Sequence, residues 1–132
     1  MMATFLIRTL SLAAGGAAML WIASVPGQAA PKAKPAAPPA FARCVACHAT
    51  TSGAAHGVGP NLFGVAGKKA GTRPGYAYSP ALQKSGRVWT RAEMIAYIAD
   101  PAKTVPGTKM INPSVASAAD RMAIAQYLEK LK

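Results

Sequence analysis

Acidic residues are scarce in this sequence. Asp and Glu number 4 against 15 Lys and Arg, and the net charge is +11 over 132 residues. Cysteine is scarcer still: Cys44 and Cys47 are the only two, and both fall inside the pentapeptide "CVACH". The histidines are two as well, His48 and His56. Zinc needs four ligands, and these four residues stand at spacings foreign to common zinc sites. Long apolar runs are also missing. The longest, Leu10–Val25, has 16 residues, short of the ~20 that span a bilayer. No stretch alternates convincingly enough to be a strand, and no internal repeat is visible. The length allows one domain.

What is present divides the chain into three parts. Residues 1–29 read as an export signal. A single charge, Arg8, precedes the apolar run, Pro26 and Gly27 break it, and Gly27 and Ala29 put small residues at the cleavage positions. The alternative is an uncleaved membrane anchor. Residues 30–38 are Pro- and Ala-rich and read as an extended linker that cannot form a core. Residues 39–132 are left to fold. About a hundred residues bury only a modest core, so a bound cofactor would help.

Within that domain the elements are helical. Pro39 can occupy a helical first turn, with "AFARCVACHA" continuing it. Ser79 and Pro80 open a short helix, "PALQKS", closed by Gly86. Thr90 and Glu93 form a T-x-x-E capping box, the helix behind it puts Met94, Ile95, Tyr97 and Ile98 on an apolar face, and Pro101 ends it. Ser117 and Asp120 open the last helix, in which Ile124, Tyr127, Leu128 and Leu131 recur at helical spacing. Seven glycines between Gly53 and Gly75 make the intervening segment irregular. Loops that long in a small domain need something to organise them.

The pentapeptide supplies a reason. Residues three and four apart on a helical turn share a face, with roughly 5–6 Å between Cβ atoms. Cys44 and Cys47 therefore point the same way, with His48 beside them. Two thiols so placed can add across the two vinyl groups of one haem while the imidazole reaches its iron, and C-x-x-C-H is read as c-type haem attachment. A redox disulfide also uses C-x-x-C, but typically just after a strand, and none precedes it here. A structural disulfide would leave His48 and the loops unexplained.

Haem iron takes a second axial ligand. Met94 lies on the apolar face of a helix and Met122 in the last helix, where packing or surface exposure explains each. Met110 follows "VPGTK" in a loop bounded by Pro106 and Pro113, and a loop can present a thioether without distorting a helix. His56 is the competing ligand, but eight residues after His48 in a glycine-rich stretch it reaches the opposite haem face awkwardly. The expected architecture is all-α: several short helices and long glycine-rich loops wrapped around one covalently bound haem.

The segments "CVACH", "GVGPNLFGVAGKKAG", "RPGYAYSPAL", "SGRVWT", "YIADP" and "VPGTKM" occur in the order and spacing of class I cytochromes c. Over about Phe41 to Leu128 the chain resembles the mitochondrial and bacterial electron carriers. The resemblance implies thioether bonds from Cys44 and Cys47 to one haem c, with His48 and Met110 as its axial ligands. It implies that the Pro60 carbonyl accepts the other ring proton of His48. Tyr78 and Trp89 would hydrogen-bond a buried propionate, Tyr97 would approach the Met110 sulfur, Thr108 would close the same loop, and Leu62, Ile98 and Leu128 would line the pocket. Three places depart from the family pattern. Lys68 stands where many relatives have Arg. Asn112 and Pro113 shorten the loop after Met110. Pro38 and Pro39 cut the first helix short, which lessens its packing on the last.

The expected function is a periplasmic electron carrier rather than an enzyme, since six-coordinate iron leaves no position for substrate. Were Met110 not a ligand, the alternative is a peroxidase-like or sensor haem protein. Loss of the signal removes Arg8 alone and leaves +10. Arg43, Lys103 and Lys109 flank the haem-attachment and Met110 segments and would steer acidic docking faces of a reductase or oxidase. Scattered basic residues on an exported chain fit nucleic acid poorly. The expected form is a monomer, touching membrane only if the first segment stays attached.

Overall fold

The computed structural model describes residues 33–132. The expected export segment and the start of the linker lie outside the described residues. Ala33–Pro38 has no regular structure, and Lys34 Nζ donates to Thr50 Oγ1 at 3.1 Å.

A 3-10 turn, Pro39–Phe41, runs into α1, Ala42–Val45. The helices that follow are α2 Pro80–Lys84, α3 Arg91–Ala99, α4 Pro101–Thr104 and α5 Ala118–Lys130. Among the described residues there is no strand, only an isolated antiparallel bridge between Lys69 and Val88. No described helix is long and apolar enough to cross a membrane.

Local chemistry explains where the helices begin. Ser79, Thr90 and Ser117 have extended backbones, and each side chain accepts an N–H of the following turn, from Leu82, Glu93 and Asp120. These caps satisfy donors that a helix start leaves orphaned. The capping box expected at Thr90 forms by half: Glu93 sends its carboxylate to Arg87 at 2.5 Å instead of back to the Thr90 N–H. An arginine offers a charge-assisted bond that a backbone amide cannot match. Pro101 does more than end α3. It sits at the first position of α4, capped by Asp100, whose side chain accepts the Lys103 N–H. Gly86, at φ +66°, takes the left-handed conformation that turns the chain after α2.

The first helix is shorter than the run "AFARCVACHA". It ends at Val45, and the Cys44 carbonyl accepts both the Cys47 and His48 N–H groups, at 3.1 and 2.9 Å. That shared acceptor closes the last turn and keeps the pentapeptide compact. Its packing on the last helix is concentrated in one ring. Phe41 is 2% exposed and meets Tyr127 edge-on at 4.6 Å between centroids. Burying such a side chain contributes roughly 1.5–3 kcal/mol.

α3 and α5 pack together. Ile124, Ala125, Tyr127 and Leu128 of α5, with Leu131 just beyond it, join Met94 and Ile98 of α3 and Cys44 of α1 in one apolar cluster. A second, smaller cluster gathers Ala70, Leu82, Tyr97 and Val105, with Tyr78 and Met110 packed against it. The functional cavity borders both.

Candidate functional site

A cavity of about 360 Å³ is lined by all twelve pocket residues the sequence put forward: Cys44, Cys47, His48, Pro60, Leu62, Tyr78, Trp89, Tyr97, Ile98, Thr108, Met110 and Leu128. Its size falls in the range of ligand sites, ~300–1,000 Å³. Ile98 and Leu128 complete an apolar lining from α3 and α5.

On one wall stands His48. Its Nδ1–H donates to the Pro60 carbonyl at 2.7 Å, which fixes the tautomer and leaves the Nε2 lone pair free. Burial holds this imidazole below its usual pKa, against the pull of the Pro60 hydrogen bond, so it is a neutral base. Gly59 is required beside it. A Cβ there would lie 2.6 Å from His48 Nδ1. The Gly59 N–H returns to the Cys47 carbonyl at 2.8 Å, closing the loop onto the pentapeptide.

Behind that loop is a residue the sequence reading missed. Asn61 is 3% exposed. Its Nδ2 donates to the carbonyls of Thr51 and Ala54 at 2.8 and 3.0 Å, and its Oδ1 accepts the Phe63 N–H at 2.9 Å. A buried amide must find such partners, and these stitch the glycine-rich segment together. The available signal was a lone polar residue between Pro60 and Leu62 in an otherwise apolar run. His56 belongs to the same stitching. Its Nδ1 accepts the Asn61 N–H at 3.0 Å, so its Nε2–H donates to the Pro74 carbonyl at 2.9 Å. Both ring nitrogens are committed, and His56 is not among the cavity's lining residues.

The two thiols are free and differ in setting. Cys47 is exposed; Cys44 is buried, and burial pushes its pKa up to about 11.

Met110 comes from the other wall. Its N–H donates to Thr108 Oγ1 at 3.2 Å, and that hydroxyl also meets the Tyr97 hydroxyl. Met94 lines the cavity as well, but it packs in the same cluster as Cys44, whereas Met110 packs against the cluster of Tyr97 and Leu82. Of the two, only Met110 packs away from the cluster that holds Cys44. Met122 is 40% exposed and is not among the lining residues. Trp89 and Tyr97 pack at a tilt of 51° with 5.0 Å between centroids, and burial raises the Tyr78 and Tyr97 pKa values. Their hydroxyls are therefore neutral donors.

At the rim, Arg43 and Lys109 line the cavity, while Lys103 on α4 does not. Val58 and Ile111, 80% and 86% exposed, form apolar lips that the sequence reading did not single out. Lys68 lies elsewhere, in a second cleft beside Lys69 and Arg73. Two cysteines, a neutral imidazole and a thioether around an apolar cavity are the donor set of a covalently held haem, and no residue in the lining conflicts with one.

No protein-family model matches the chain. Cytochrome c2 of Rhodoblastus acidophilus is 49% identical over 92 residues, covering 70% of this chain and 86% of that protein. Cytochrome c2 iso-2 of Magnetospirillum fulvum is 44% identical over 95 residues, covering 72% and 98%. Among solved structures, cytochrome cH from Methylobacterium extorquens superposes with a TM-score of 0.63 at 47% identity, covering 68% of this chain and 90% of that one.

Proposed function

This chain belongs to the class I c-type cytochromes, and from that premise we propose that it shuttles single electrons in the periplasm, with His48 and Met110 as axial ligands of its haem. It is an electron carrier with haem c held through Cys44 and Cys47, not an enzyme. The observation that carries the axial reading is one cavity lined by both a neutral imidazole with its Nδ1–H fixed on Pro60 and a loop thioether packed on a different cluster from Cys44.

Haem supplies a one-electron iron couple whose potential a thioether ligand raises. The chain's own residues do the rest. The Pro60 carbonyl orients His48 and strengthens it as a donor, as partners behind a ligand do. Thr108 and Tyr97 hold the Met110 backbone. Tyr78 and Trp89 stand where neutral donors can meet a propionate. Leu62, Ile98 and Leu128 keep water out, which lowers the solvent rearrangement that accompanies electron transfer. Arg43 and Lys109 at the mouth, with the apolar lips of Val58 and Ile111, suit an acidic partner with an apolar centre. Lys103, on α4 and not among the lining residues, would add its charge to that docking face from farther out.

The test is spectroscopic. The exported protein should give a pyridine haemochrome spectrum of two thioethers, and its ferric form the weak far-red band of thioether–iron ligation. Cys44→Ala with Cys47→Ala should abolish covalent haem. A wild-type protein lacking the far-red band would have an open iron position, and a peroxidase-like role would replace the carrier.

A further inference from the structure

The strap between Met110 and α5 is poor in backbone bonds. Among the described residues, 109–116 make no backbone–backbone hydrogen bond. A segment without such bonds relies on side chains to fix its course. Lys109 reaches the Ala77 carbonyl at 3.2 Å, and the Thr108 hydroxyl accepts the Met110 N–H. Asn112 Oδ1 accepts the Ser114 N–H at 2.7 Å, a side-chain turn across Pro113 that supports the left-handed backbone of Ser114. The Lys109 and Asn112 contacts are exposed, where water competes for them.

At the far end of the strap stands Arg121. It lies one turn into α5, and side chains on a helix lean toward its N-terminus. Its Nη1 donates to the two carbonyls just ahead of the helix cap, Val115 at 2.7 Å and Ala116 at 2.6 Å. The donor is charged, so these bonds are stronger than those between neutral groups. Two facts tie the cation to those carbonyls. The start of a helix is the positive end of its dipole, where an arginine is disfavoured. No carboxylate pairs with it either: among the described residues the ion pairs are Arg87–Glu93 and Arg91–Glu129. The Arg121 Nε is buried and makes no hydrogen bond, a cost borne to place the other end of the guanidinium. Beside it Val115, 5% exposed, is packed in the cluster of Cys44, Met94 and Ile124. The end of the strap is thus fastened to the same core that carries the pentapeptide.

We propose that Arg121 is a positioning residue for Met110: by gripping the Val115 and Ala116 carbonyls it fixes where the strap ends, and so keeps the thioether turned into the haem cavity. The role rests on the axial reading above. Met110 lines the cavity and Arg121 does not, so Arg121 acts only through the strap. Five residues lead from Met110 to Val115, a reach of about 17 Å at most. So short a segment passes slack at one end on to the other. Loosening the grip raises the population in which the thioether has left its place, while the haem stays bound through Cys44, Cys47 and His48.

Imidazole is the probe, titrated into the ferric holoprotein and followed by loss of the far-red band and by the change in the main haem absorption. It binds only where the thioether has let go, so its apparent affinity reports the fraction of open protein. Arg121→Met keeps the length of the side chain and removes its donors. It should bind imidazole about tenfold more tightly, the size of effect expected from lost charge-assisted hydrogen bonds. Arg121→Lys keeps the charge with a single ammonium and should fall between Arg121→Met and wild type. Arg91→Met loses the same charge from an exposed pair and should match wild type. In a Met110→Ala background the position is already open, and adding Arg121→Met should change the affinity no further. Wild-type imidazole affinity in Arg121→Met, with a lowered denaturation midpoint, would make Arg121 merely structural and overturn the proposal. So would a tenfold gain that persists in the Met110→Ala background. If Arg121→Met does not fold, Arg121→Lys decides, and wild-type affinity there overturns the role. Met110→Ala binding imidazole no better than wild type would instead overturn the axial reading itself.

Discussion

His48 is held by hydrogen bonds to both its ring and its backbone, whereas Met110 is hydrogen-bonded through its backbone alone and its side chain only packs on apolar neighbours. The His48 ring is pinned by Pro60 and confined by Gly59, and its N–H is closed onto Cys44. Behind it Asn61 and His56 spend buried hydrogen bonds on the loop. On the other wall the Met110 N–H rests on Thr108, and Lys109 Nζ reaches the Ala77 carbonyl at 3.2 Å. The chain then passes through an exposed Ile111 to Ser114, a non-glycine residue at φ +56°. One wall is overdetermined and the other adjustable. Stability differs from place to place in this way, and functional loops come from its low end.

The largest break in that comparison should come from Gly59→Val. Its side chain would overlap the His48 ring, which cannot swing away without giving up its Nδ1–H bond to the Pro60 carbonyl. We expect a loss of about 3 kcal/mol or more and a sharp fall in holoprotein measured by haemochrome absorbance. A fold and haem content like wild type would show the His48 wall to be as adjustable as the other.

Met110→His should keep the haem, since both thioethers and His48 remain. Its potential should fall by about 200 mV, within the ~0.8 V that axial ligands command. Met94→Leu and Met122→Leu should leave potential and spectrum nearly unchanged. A fall with Met94→Leu and none with Met110→Leu would move the second ligand to α3.

A sharper contrast is one of stability. Asn61→Ala strips three hydrogen bonds and leaves buried backbone groups unpartnered, a cost of about 3 kcal/mol, while Thr108→Val should cost about 1 kcal/mol. Denaturant unfolding of the two holoproteins measures the ratio. Equal losses would erase the difference between the walls.

The smallest effect concerns pH. Burial raises the Tyr97 pKa above the ordinary tyrosine value of about 10, with the Thr108 hydrogen bond opposing. Below pH 10 folded and unfolded tyrosine are both neutral, and the Tyr97 contribution is complete. As pH rises from 10 through the raised value, the unfolded chain ionises first and that contribution is lost. The far-red band should therefore fade before global unfolding, and Tyr97→Phe should flatten this part of the pH curve. Fading at an unchanged pH in Tyr97→Phe would assign it to another group.

Some of this was legible without a structure because the physics is local. A Ser or Thr before an apolar helical run caps the helix within three residues, as Ser79, Thr90 and Ser117 do. The spacing of Cys44, Cys47 and His48 is set by one turn of backbone. The apolar face of α5 follows from a 3.6-residue period, and Ile124, Tyr127, Leu128 and Leu131 are all 5% exposed or less. The partner of Glu93 was not legible, since Arg87 and the Thr90 N–H both lie within reach and only folded geometry selects between them. Nor was α4, four residues with no periodicity to read.

The sequence by itself determined that one turn would carry two thiols and an imidazole, and that short capped helices would be joined by glycine-rich loops. Tertiary structure decided what those loops do. Pro60 reaches His48 from twelve residues away, Pro74 takes the His56 proton from eighteen, and Trp89 joins Tyr78 in a wall that separates an apolar cavity from a cationic cleft. No local rule specifies such pairings. Each depends on which distant segments share the same buried space, and that is settled only when the whole chain has packed.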